Sequence, residues 1–111
     1  MTDRTADQLV NEVAGILGKL TPGEALSDED HTTIDNCIDP VLAEVDDIVS
    51  VSRDNIPERY FQTLARLVAV HAAPKYSNAP VDLAQVQIHE QRLRFLSVNG
   101  PTYQPVRAEY F

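Results

Sequence analysis

Three stretches of this chain carry apolar residues at helical three-and-four spacing, a fourth is rich in them without a clean period, and turn or extended signals separate all four. This restricts the fold to a few helices packed on one another. In the first stretch Ala6, Leu9, Val10, Val13, Ile16, Leu17 and Leu20 share a face, with Asp7, Asn11, Glu12 and Lys19 largely opposite. An amphipathic helix from about Arg4 to Leu20 is expected. Thr21-Pro22-Gly23 should stop it, because proline lacks a helical donor and glycine accepts left-handed torsions.

Ser27, three residues before Asp30 and followed at once by acids, is a near capping box that starts a second helix. Its apolar face is Ile34, Ile38, Val41, Leu42, Val45 and Ile48 or Val49, about five turns in all. Pro40 lies in the middle; since the apolar phase carries through it, a kink is expected in place of a break. Ile48 to Ser52 is β-branched with partial alternation and reads as a short extended piece. Asn55-Ile56-Pro57-Glu58 opens a third helix, through a capping side chain, a proline in the first turn and an acid suited to the dipole. Tyr60, Phe61, Leu64, Ala65, Leu67, Val68, His71 and Ala72 make it the most apolar helix and therefore the central one.

Ala73-Pro74 ends or bends that helix, and Ser77-Asn78-Ala79-Pro80 is turn chemistry. The fourth helix, from about Val81 to Ser97, has Leu83, Ala84, Val86, Ile88, Leu93, Phe95 and Leu96 spread around its axis, so more than one side is expected to meet protein. The reading is an all-α bundle of about four helices, residues 1–101, followed by an extended C-terminal arm, residues 102–111. That arm holds Tyr103, Val106, Tyr110 and Phe111, and prolines at 101 and 105 suit it to docking, with these four as anchors on a partner or a neighbouring subunit.

At 111 residues there is room for one domain and only a modest core. No apolar run is long enough to cross a bilayer, and the first residues lack a signal-peptide layout, so a protein made in the cytoplasm without a membrane partner is expected. Cys37 is the single cysteine, read as a small buried hydrophobe.

The net charge of -8 is unevenly spread. Up to Ser52 twelve acids face only Arg4 and Lys19; beyond it Arg53, Arg59, Arg66, Lys75, Arg92, Arg94 and Arg107 outnumber the acids. An acidic half cannot grip a phosphate backbone, which argues against sequence-reading DNA binding. The acids Asp28, Glu29, Asp30, Asp35, Glu44, Asp46 and Asp47 are either a solvated face or a surface that repels DNA or docks a basic partner.

Signatures of catalysis are absent. The chain has neither a phosphate loop nor a nucleophile elbow, His31, His71 and His89 are scattered, and no base stands in a defined relation to any serine. Asp28 to Asp39 echoes a calcium loop, but Thr33 stands where the turn needs glycine, and Ile34 and Ile38 keep helical phase. No enzyme activity, cofactor or metal is expected.

The order of these signals resembles that of phage head-to-tail adaptor proteins, also called tail accessory, head-completion or head-tail connector proteins. The resemblance rests on Ala6-Asp7-Gln8-Leu9-Val10, then Pro22-Gly23-Glu24 and Ser27-Asp28-Glu29-Asp30, a long second helix, Asn55-Ile56-Pro57 opening an apolar helix that closes near Ala72-Ala73-Pro74, and the tail Glu109-Tyr110-Phe111. It implies a virion protein in which a dozen copies form a ring under the portal protein, extend the DNA channel and offer a surface to a tail or nozzle protein. The acids named above would then line the channel or its rim, and viral DNA would pass without specific binding. Arg53, Arg59, Arg66, Arg92 and Arg94 would be available to pair with carboxylates of the next subunit. Two other readings fit the same composition: a DNA mimic or inhibitor of a nucleic-acid-binding protein, and an accessory subunit of an enzyme.

Overall fold

The computed structural model describes residues 4–20, 23–77 and 79–98. The chain is a small all-α bundle of four helices: α1 Ala6–Leu17, α2 Asp28–Glu44, α3 Glu58–Ala72, continued by a 3-10 turn Ala73–Lys75, and α4 Leu83–Val98. Helix α3 lies at the centre, packing on α1, α2 and α4, while α1 and α2 also touch each other. Among the described residues extended pairing is limited to two isolated bridges, Arg4 with Ile56 and Ser52 with Asn55.

Each boundary has a local cause. Thr5 caps α1 through a complete box, its hydroxyl accepting from the Gln8 backbone N–H while the Gln8 side chain accepts from the Thr5 N–H. The helix stops earlier than Pro22, because Gly18 takes a left-handed conformation at φ 75°. Leu20 consequently falls past the helix and is 40% exposed, and Ile16, in the last turn and also expected on the buried face, is 45% exposed. Ser27 caps α2 by accepting from the Asp30 N–H at 3.2 Å.

Helix α2 runs through Pro40 without a break, as the apolar phase indicates: Ile34, Cys37 and Ile38 before it and Val41 after it are all buried. Pro40 itself faces solvent, so the helical hydrogen bond it cannot donate is lost on the wet side. The helix nevertheless ends at Glu44, one turn short of the expected Ile48 or Val49. Glu44, Asp46 and Asp47 crowd the negative end of the dipole with no base in the last turn, and the chain passes into turns from Val45 to Ile48. Val45 and Val49 remain buried, so the apolar surface is kept although the helix is not.

Helix α3 begins with Pro57 at its cap position and no side-chain cap. Asn55, read as the capping residue, instead pairs with Ser52. Tyr60, Phe61, Leu64, Ala65, Leu67, Val68 and Ala72 are buried as expected, and Thr63 and Ala69 join them. Helix α4 starts at Leu83 because Asp82 caps it, accepting from the N–H groups of Ala84 and Gln85. The helix thus begins two residues after the expected Val81.

The core needs α3 filled. Truncating Phe61 (1% exposed) or Leu64 (fully buried) to alanine should lower stability by about 2–5 kcal/mol in chemical denaturation, because each leaves a cavity the neighbouring helices cannot close. Ile16→Ala, on the half-exposed end of α1, should change it by less than about 0.5 kcal/mol.

Candidate interaction surfaces

Helix α2 presents its acids in three different situations. Asp35, with Asp39, accepts from the Arg53 guanidinium, a contact that folds the loop after α2 back against the helix. The bond to Asp35 is the main reason the Arg53 pKa is raised. Asp30 accepts from the Tyr76 hydroxyl at 3.1 Å, tying the turn after α3 to the start of α2. Burial first, and this bond second, push the Tyr76 phenol up to about 12, and the Lys19 ammonium lies over the Tyr76 ring at 4.3 Å.

Glu44 stands 3.8 Å from His71 Nε2, which has no hydrogen-bond partner. Asp28 and Glu29 at one end of α2, and Asp46 and Asp47 beyond the other, are exposed and have no ionic or hydrogen-bonded side-chain partner among the described residues. Seventeen residues of helix separate the two acidic ends by about 25 Å.

The seven acids singled out in the sequence are therefore not one surface. Four are open; Asp30 and Asp35 are bound inside the chain, and Glu44 lies near His71. Among the five arginines proposed for contacts between subunits, Arg53 is engaged by its own Asp35 and Asp39. Arg59 lies over the Tyr60 ring at 5.0 Å and Arg92 over Phe95 at 5.4 Å. Arg59, Arg66, Arg92 and Arg94 have no carboxylate partner among the described residues. A further ion pair joins residues fifty-four positions apart, beyond any local pattern: Arg4 bonds Glu58 at 2.8 Å and covers the Phe61 ring at 4.7 Å. The arm with Tyr103, Val106, Tyr110 and Phe111 lies outside the described residues.

Two grooves flank α3. One, of about 400 Å³, lies between α1, α3 and α4 and is lined by Ile16, Leu17, Arg66, Ala69, Val70 and His89 among others. Burial, and secondly the charge of Arg66, lower the His89 pKa. The other, of about 200 Å³, includes Cys37, Pro40, Glu44, His71 and Lys75. Cys37 is buried and contacts the Thr33 carbonyl through its sulfur; burial raises its pKa. Asp28 to Asp39, where the acids echo a calcium loop, is continuous helix. Among the described residues no cluster of His, Cys, Asp and Glu is arranged to hold a metal, and no helix is long and apolar enough to cross a membrane.

On α4 only Val86 and Leu93 are buried, whereas Leu83, Ile88, Phe95 and Val98 are more than half exposed. No family model, curated protein or solved structure matches this chain.

The Tyr76–Asp30 bond can be tested through pH. Tyr76→Phe removes the donor and should cost about 1 kcal/mol near neutrality. With the folded phenol raised to about 12 from an ordinary value of 10, the unfolded chain loses that proton first, so the wild-type advantage is full below pH 10 and disappears as pH rises through about 12. Denaturation of both proteins across that window should show the difference shrinking.

Proposed function

We propose that the protein is a structural interaction protein, a subunit of a phage head-to-tail adaptor ring that docks on a portal protein, extends the DNA channel and offers a surface for tail attachment. The observation that carries this reading is the pair of open acidic ends on α2, Asp28 with Glu29 and Asp46 with Asp47. Carboxylates without cations nearby repel a polyanion, and a conduit for moving DNA requires a wall to which DNA does not adhere. The order of helices and turn signals supports the same reading, as does the supply of basic groups, Arg59 and Arg66, able to meet carboxylates of a neighbour. A ring is built from two different faces of each subunit, and opposite charges on those faces fix its direction.

Light scattering of the protein with and without a portal protein tests this: a ring-sized complex should form only in the mixture. A partner that is a basic nucleic-acid-binding protein, with no response to portal, would establish the DNA-mimic reading instead. In the assembled ring, Asp28→Asn, Glu29→Gln, Asp46→Asn and Asp47→Asn together should leave ring mass unchanged and increase retention of duplex DNA severalfold at low salt. If DNA retention does not change, the open acids do not face the channel.

A further inference from the structure

The groove between α1, α3 and α4 is an apolar trough with one fixed charge in it. Leu17, Ala69 and Val70 line it, and Ile16, 45% exposed, stands open at its edge. Burial, and then the charge of Arg66, hold the His89 pKa down, which keeps its imidazole neutral near neutrality and leaves Arg66 as the fixed charge of the lining. Arg66 is exposed, and no carboxylate of the described residues meets it. On the α1 wall Glu12 lies one turn before Ile16 on the same face, half-buried and also without an ionic partner among the described residues. A trough of about 400 Å³ with these walls suits an extended segment that carries aromatic rings beside a carboxylate.

We propose that the chain's own residues 102–111 occupy this groove, with Tyr110 and Phe111 on its apolar lining, Glu109 against Arg66 and Arg107 towards Glu12. These residues lie outside the described part of the chain; their composition and reach carry the assignment. Glu109-Tyr110-Phe111 sets two rings beside an acid, and Arg107, two positions before Glu109, falls on the same side of an extended chain. Two opposite charges on the segment thus meet two opposite charges on the walls. Reach is sufficient. From Val98 back to His89 is about 14 Å along α4, and to Gln85 about 20 Å. Asn99-Gly100-Pro101 is turn chemistry, and the ten residues beyond it extend up to about 33 Å. That length covers both the step from the end of α4 to the valley beside α3 and the return to the groove. A segment tethered so closely has an effective concentration in the millimolar range, so even a weak seat is filled. The assignment does not depend on the ring reading.

Nuclear magnetic resonance of the full chain with labelled methyl groups is the test. The rings of Tyr110 and Phe111 should show Overhauser contacts to the methyls of Ile16 and Val70, and in a mixture of labelled and unlabelled chains these contacts should stay within one molecule. Tyr110→Ser with Phe111→Ser should shift those methyl signals and leave helicity by circular dichroism unchanged. Arg66→Glu, an exposed substitution, should lower the docked fraction severalfold, and adding Glu109→Arg should restore most of it at low salt. Methyl signals of Ile16 and Val70 that do not respond to the loss of both rings overturn the proposal. So do contacts found only between molecules, which give the groove to the arm of a neighbouring subunit. An Arg66→Glu chain docked as fully as wild type, or a charge swap without recovery, overturns the pairing with Glu109. A seated arm in a chain that forms no complex with portal protein would remove the ring reading alone.

Discussion

Everything in this structure depends on the burial of α3. Its surface is covered by α1 on one side, α2 on another and α4 on a third, and Tyr60, Phe61, Leu64, Leu67, Val68 and Ala72 face inward in all three directions. A helix that buries nine of its fifteen residues and leaves only the face of Glu58, Arg59, Gln62 and Arg66 in water needs neighbours on its other sides, and the other three helices supply them. α1 and α2 pack on each other as well as on α3, whereas α4 rests chiefly on α3. Among the described residues, the acids at the two ends of α2, Arg59 and Arg66 on α3 and several hydrophobics of α4 are exposed.

The polar fastenings are peripheral, and each ties down a connection between helices. Arg4 holds the chain before α1 to the start of α3, through Glu58 and paired backbone bonds with Ile56. Arg53 holds the loop after α2 to Asp35 and Asp39, and Tyr76 holds the turn after α3 to Asp30. Half-exposed ion pairs of this type add little to stability individually. Their larger effect here is selective: they occupy Asp30, Asp35 and Asp39 and leave Asp28, Glu29, Asp46 and Asp47 open. Of the seven acids read on this half of the chain, the four left open to a partner are thus at the two ends of α2.

Local chemistry was enough to place the four helices in order, to name α3 as central and to carry α2 through Pro40, because apolar period, caps and proline act over a few residues. It failed at three ends. Gly18 stops α1 before the stronger turn signal at Pro22, the acids at Glu44, Asp46 and Asp47 unwind the last turn of α2, and Asp82 caps α4 two residues after the turn at Pro80. In each case two local preferences competed, and the energies dividing them are of the order of 1 kcal/mol, too small to rank without the neighbouring contacts.

The sequence by itself determined the class of fold, the central helix and the lopsided charge, since these follow from the kinds of residue present and their spacing. Only the tertiary structure decided which acids have partners and which side of α4 packs on α3. Asp35 and Arg53 are eighteen positions apart, and Tyr76 and Asp30 forty-six, so no local pattern links them. On α4 the bundle buries Val86 and Leu93, a pair that the spread of hydrophobics around the helix axis does not single out. A single helix pressed against one neighbour can bury one face, and which face that is depends on the shape of α3 rather than on α4's own residues.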